Sequence, residues 1–173
     1  MKRLEGNSVS CRQCAGTCCT FVANSMKITP SEALDIYSYL SANERWTLEL
    51  KEHLQGTIDR FRLEADFSNG RKDFLRKTYT CPFFSGGKLG CGLPVDVKPY
   101  GCLGFNPKKP EIREGGACES DQGILERHHN EVTSYDQSVS DLLFKEHQVW
   151  WDKLYLPVAL IELFKAFPPL SNN

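Results

Sequence analysis

Four cysteines within nine residues, Cys11-x2-Cys14-x3-Cys18-Cys19, constrain this chain more than any other feature. Thiols at that density are near enough to converge on one centre, and the C-x2-C step lets two sulfurs meet one ion through a tight turn. A second set is spread wider: Cys81, Cys91 and Cys102 are separated by nine and ten residues, and Cys118 follows after fifteen more. Gaps of that length need a folded loop to return each sulfur.

The opening residues MKRLEGNSVSCRQC contain early basic side chains but no apolar run long enough for a signal-peptide core, which points to the cytosol. Disulfides are rare in that compartment, and neighbouring Cys18 and Cys19 are awkward to pair with each other. A disulfide scaffold would also suit a shorter secreted domain with a thin core. The thiols are therefore expected to meet metal, with Cys11, Cys14, Cys18, Cys19, Cys81, Cys91, Cys102 and Cys118 as candidate ligands. Cys118 is the one that no motif supports. Soft thiolates select zinc or an iron–sulfur cluster over magnesium or calcium. Both take four thiolates; paired C-x2-C knuckles are absent, since only Cys11 and Cys14 have that spacing, and this tilts the reading toward iron–sulfur. Metal-bound thiols are deprotonated outright and concentrate negative charge. Arg12, Lys27, Lys88 and Lys98 are candidates to offset it, with a solvated surface cation as the equal alternative for each.

The rest of the chain reads as support for this cluster. At 173 residues and 40% hydrophobic content, it is expected to form a single domain, residues 1–173, with its own core. Its 21 basic and 22 acidic side chains nearly cancel, leaving no footprint for a phosphate backbone. Nucleic acid is not an expected partner. The most apolar stretch, Leu154 to Phe167, carries Pro157, Glu162 and Lys165 and is shorter than the roughly 18 to 20 residues a membrane span needs. No membrane partner is expected either, which leaves the metal itself and a protein docked on the surface that the metal orders.

Thr29, Pro30 and Glu32 spell a helix start, a capping residue, a first-turn proline and the reciprocal acid of a capping box, with the helix running to about Leu40. A second helix is expected after Asn43, because Trp46, Leu50, Leu54, Ile58 and Phe61 recur at three- or four-residue steps; Gly56 weakens it slightly. Phe74 to Thr80 reads as a short strand or an extended lead-in to Cys81. From Cys81 to Gly116 there are eight glycines, five prolines and three cysteines, a composition that breaks helices and leaves few apolar residues for a packed element. Something other than a hydrophobic core is expected to order this stretch, and metal would do so. Binding a structural zinc is worth roughly 10 to 16 kcal/mol, so its removal should disorder these loops while the helices persist. The cysteine-cluster region spans residues 11–118, and a C-terminal helical segment spans 125–167. There Val139, Leu142, Leu143, Glu146, Val149 and Trp150 fall at near-helical spacing, and Pro157 marks a kink or a new first turn. The expected fold class is mainly α, with an irregular, metal-stapled lobe and few or no strands. His53, His128, His129 and His147 read as surface or helix-face residues rather than ligands, and Trp150, Trp151 and Tyr155 as packing.

The pattern Cys11-x2-Cys14-x3-Cys18-Cys19, then Cys81-Pro82-Phe83, Cys91, and Pro99-Tyr100-Gly101-Cys102, resembles the YkgJ-type cysteine-cluster family of zinc- or iron-chelating domains. The resemblance covers residues 11 to 107 and is most specific in the N-terminal quartet. It departs where the family usually carries Arg-Pro before the last cysteine and Arg just after it: here stand Lys98-Pro99 and Leu103. Leu93-Pro94 likewise replaces the usual Ile-Tyr, with one extra residue before Pro99. The resemblance implies metal handling or electron transfer. It extends to a similar cluster in flagellin lysine N-methylases, which leaves an enzymatic role open, although no separate methyl-donor motif is evident. A radical S-adenosylmethionine enzyme would show C-x3-C-x2-C, the reverse order. A thiol oxidoreductase would place C-x2-C after a strand, and Asn7 to Ser10 make no convincing one.

Overall fold

Helix α1, Pro30–Ala42, begins as its sequence specifies. The Thr29 hydroxyl accepts from the Glu32 amide at 3.4 Å, while the Thr29 amide donates to Glu32 Oε2 at 2.9 Å, closing the capping box. At the far end the Asn43 side-chain amide donates to the Tyr39 carbonyl at 2.8 Å. Helix α2, Leu48–Phe61, starts later than the apolar period suggests, because the Thr47 hydroxyl caps it by accepting from the Leu50 amide at 3.2 Å. Trp46 therefore precedes the helix, yet it is buried all the same.

The computed structural model describes residues 17–64, 77–86, 90–104 and 122–169. Within them lie three further helices: the short α3, Tyr100–Leu103; the long α4, Gln122–His147; and α5, Leu156–Ala166. A pair of two-residue strands, β1 (Lys27–Ile28) and β2 (Leu154–Tyr155), run antiparallel with Lys27 opposite Tyr155 and Ile28 opposite Leu154. The protein is mainly helical, and this two-stranded pair is the extent of its sheet among the described residues.

The core gathers on α5, whose Leu156, Val158, Ala159, Leu160, Ile161, Leu163 and Phe164 are all buried. A helix that is apolar nearly all round must be enclosed. Here α1 and α2 cover it with Ile36, Leu40, Leu54 and Ile58, and α1 also meets α4. The Trp46 ring stacks on Phe164 with centroids 3.7 Å apart, and its indole Nε1 donates to the Phe167 carbonyl at 2.7 Å. Pro157 sits in the first turn of α5, as expected of a residue with no amide hydrogen to leave unsatisfied. Lys165 and Glu162 pair at 2.6 Å on the outer side of the same helix. Among the described residues no helix is long and apolar enough to cross a membrane.

Two expectations for the C-terminal third need correction. Val149 and Trp150 lie beyond the end of α4 and not on its face, and Leu142 and Trp150 are exposed. Trp151, by contrast, is buried, and its Nε1 has no hydrogen-bond partner.

Candidate metal centre

The lobe that carries the cysteines is tied to the helical core by backbone hydrogen bonds. Cys18 and Cys19 end a 3-10 turn, Thr17–Cys19. The Cys19 carbonyl accepts from the Cys81 amide at 2.7 Å, and the Asn24 carbonyl accepts from the Tyr79 amide at 2.9 Å, so residues 77–81 run alongside 19–24 in opposite directions. This stretch is an extended lead-in and forms no strand over Lys77–Thr80; Phe74 to Arg76 lie outside the described residues. Phe84 and Cys91 form an isolated antiparallel bridge, with the Gly92 amide donating to the Phe83 carbonyl at 2.7 Å. The turn between them uses Gly86 and Gly90 at positive φ, a conformation that glycine adopts without steric cost. The nine-residue gap between Cys81 and Cys91 is thus closed by a return of the chain on itself.

Cys102 arrives differently, on α3. Pro99 precedes that helix, and the Tyr100 amide at its start donates to Glu32 Oε1 at 2.9 Å. Glu32 therefore uses one oxygen to cap α1 and the other to hold the helix that presents Cys102. Asp136 of α4 accepts from the hydroxyls of Thr29 and Ser31 close by, at 2.9 Å from Thr29, tying α4 to the start of α1. Gly101 packs against Met26 so closely that an added Cβ would come within 2.5 Å of the thioether sulfur.

These connections bring Cys18, Cys19, Cys81, Cys91 and Cys102 to the wall of one cavity of about 240 Å³, completed by Met26, Leu93, Leu156, Lys98 and neighbouring residues. Five candidate ligands from four separate stretches of chain therefore share a site. None of the five is in a disulfide. Cys11, Cys14 and Cys118 lie outside the described residues. Among the described residues, no group of three or more Cys, His, Asp or Glu side chains is placed so that it could hold a metal ion.

Electrostatics couple four of them, Cys18, Cys81, Cys91 and Cys102. Cys81 and Cys102 are half-buried as whole residues, yet burial is what most displaces their thiols. It pushes Cys81 up to about 12; Cys91 and Cys18 add to the rise, while a hydrogen bond from the Phe83 backbone and the charge of Lys98 pull the other way. Cys102 is held well above the ordinary thiol range by burial, then by Cys81, Cys91, Cys18 and Glu32. Tyr79, fully buried, is raised by burial and then by Cys81 and Cys102; its hydroxyl donates to the Met26 carbonyl at 2.8 Å. The neighbouring thiols thus disfavour ionisation of Cys81 and Cys102, which is the electrostatic situation a cation relieves.

Not every expectation for this lobe stands. Metal is not alone in ordering it: Tyr79, Phe83, Leu93 and Leu103 are buried, the first three in the main hydrophobic cluster. Of the candidate cations, Lys98 is buried at the cavity wall, whereas Lys27 is exposed there with its ammonium 4.9 Å from the Tyr155 ring centre. Arg12 and Lys88 lie outside the described residues. His53 is exposed on α2 with its Nε2 3.3 Å from the Pro82 carbonyl, and His147 ends α4 against Phe167; neither lines the cavity. His128 and His129 fall on α4. Sequence reasoning passed over Met26 and Tyr79, since a lone methionine and a lone tyrosine carry no spacing signal.

The chain matches no family model, no curated protein and no solved structure. The resemblance to the YkgJ-type family accordingly rests on the cysteine pattern itself.

Proposed function

We propose that this is a cytosolic metal-binding protein that holds an iron–sulfur cluster, or zinc, through clustered cysteine thiolates and serves electron transfer or metal handling. The observation that carries the reading is the shared cavity: Cys18, Cys19, Cys81, Cys91 and Cys102, from four separate stretches of sequence, line one pocket. Neutral buried thiols have poor hydrogen-bonding capacity and little reason to be gathered, whereas soft thiolates are the ligands that zinc and iron–sulfur clusters require. The chemistry of the donor set fits either group. Cys11 and Cys14, three residues apart and just before Cys18, are the natural completing ligands, with Cys118 a further one. A bound group would supply charge neutralisation for the thiolates, and a redox couple if it is a cluster.

The test is metal and acid-labile sulfide analysis of full-length protein prepared without oxygen. Iron with stoichiometric sulfide and a broad absorption band near 400 nm supports the cluster; zinc without sulfide supports a structural site that shapes a partner surface. Folded protein that retains no metal and binds none on titration overturns the proposal. A cluster-containing enzyme of the lysine N-methylase kind is the reading the resemblance adds, and it requires heat on titration with S-adenosylmethionine.

A further inference from the structure

Met26 adds a thioether-bearing residue to the wall of the cavity that the five cysteines line. We infer that Met26 is a sulfur ligand of the centre, and that it gives the cavity a preference for copper(I) over zinc. The inference rests on the metal-binding reading above and deepens it by naming the ion that a mixed thiolate and thioether set selects.

The chain fixes Met26 by its backbone. Its amide donates to Asn24 Oδ1 at 3.0 Å, and its carbonyl accepts from the Tyr79 hydroxyl at 2.8 Å and from the Leu156 amide at 3.2 Å. The residue is half-buried: it packs against the hydrophobic core and also lines the cavity. Its thioether end rests over Gly101, where an added Cβ would lie 2.5 Å from Sδ and 2.6 Å from Cε. Gly101 lines the cavity too and directly precedes Cys102. The glycine thus leaves room for the thioether beside the segment that presents a thiol, and a larger residue there would displace it.

A thioether is a soft donor without charge. Zinc is held by thiolate, imidazole or carboxylate, whereas thiolate and thioether together suit copper(I). Charge favours the same ion. Each thiolate brings a negative charge to a cavity whose wall includes Leu93, Pro99 and Leu156, and buried charge is costly unless it is neutralised. Four thiolates around zinc leave two negative charges in excess, while two thiolates and a thioether around copper(I) leave one. Copper(I) also accepts low coordination, so it needs no ready group of three Cys, His, Asp or Glu side chains, which the described residues do not form. The ion enters and leaves as copper(I), and each ligating thiol gives its proton to solvent, so no oxidant or reductant takes part.

The experiment compares full-length wild type with Met26→Leu and Gly101→Ala, all reduced and kept free of oxygen. Copper(I) affinity is measured by competition with bathocuproine disulfonate, and zinc affinity by competition with a chromogenic chelator. Met26→Leu, which nearly conserves volume, should weaken copper(I) binding about tenfold or more, the least that even an outer-sphere partner of a metal is worth. Its zinc affinity should stay within a few-fold of wild type, and its metal-free melting temperature should not move. Gly101→Ala should show the same pattern, because it shifts the thioether without removing any sulfur. The two methionines of the chain are Met1 and Met26, so selenomethionine labelling offers a direct readout: selenium-edge absorption of the copper-loaded protein should show a copper neighbour that Met26→Leu abolishes. Selenium without a copper neighbour, undiminished copper(I) binding in either variant, or equal loss of both metals would make Met26 a packing residue and overturn the inference. Wild-type protein that binds neither copper(I) nor zinc and carries no cluster would overturn the metal-binding reading as well, whereas zinc or cluster binding with a Met26→Leu indifferent to copper(I) would overturn this inference alone.

Discussion

Glu32 shows how much one side chain can carry. Its two oxygens accept from the Thr29 and Tyr100 amides, both at 2.9 Å, so it caps α1 and positions the Cys102 helix together. Glu32→Ala should lower the unfolding free energy by about 1 to 3 kcal/mol in a urea titration, the range for losing a cap and a charge-assisted hydrogen bond; no measurable loss would show that Tyr100 is held by something else. Asp35, one turn further along α1, makes a pH-dependent prediction. Burial and then the carboxylate of Asp136 raise its pKa above 3.8. Its folded value exceeds its unfolded one, so its protonated form is the favoured one in the fold. That favourable contribution is complete below pH 3.8 and is lost as pH rises through the folded value. Asp35→Asn should therefore melt higher than wild type at pH 7, with the difference shrinking to nothing near pH 3; a difference constant with pH would mean that charge is not its source. At this scale the capping box was plain in the sequence, because the chemistry is local. The second oxygen of Glu32 and the burial of Lys98 were not, because both depend on partners brought in by tertiary folding.

Elements were legible where their signals are local, and less so where burial mimics periodicity. Trp46 falls in register with the apolar face of α2, but it reaches the core from before Thr47, held by its stacking on Phe164 and its bond to Phe167. Val149 is likewise buried just past the end of α4. Helix α3 was hidden by its own composition: glycines and prolines around Cys102 read as breakers, although Pro99 suits the residue just before a helix and Gly104 marks its end. The most consequential element is α5. Leu160 is fully buried on this helix, which both α1 and α2 contact, and Leu160→Ala should cost about 2 to 5 kcal/mol, read as a lower urea midpoint with little change in slope. Because Leu156 of the same helix also lines the thiol cavity, the fold's stability and the site's shape share one support.

For the molecule as a whole, the question is what the metal would be asked to hold. The sequence alone suggested that the loops between Cys81 and Gly116 have no order without it. Tyr79, Phe83, Leu93 and Leu103 change that balance: each buried side chain of this kind contributes about 1.5 to 3 kcal/mol, and together they approach the roughly 10 to 16 kcal/mol of a structural zinc. The backbone pairing of residues 77–81 with 19–24 adds to them. What lacks such support is the set of thiols: neighbouring cysteines disfavour the ionised forms of Cys81 and Cys102 across the cavity, and a metal bound as proposed would neutralise them. Stripping metal from the loaded protein with a chelator, under reducing conditions, should therefore relax the cavity rather than unfold the chain. Far-ultraviolet circular dichroism should keep most of its helical signal, since α1, α2 and α5 pack without sulfur. Amide exchange should quicken around Cys19, Cys81, Cys91 and Cys102, and remain slow at Leu40, Leu54 and Leu160. Loss of helical signal in step with metal release would show that the two halves fold as one unit and that the hydrophobic anchors of the lobe are insufficient. Unchanged exchange at all four cysteines would show that the cavity is preformed, leaving metal to use an arrangement that the side chains of the core alone had made.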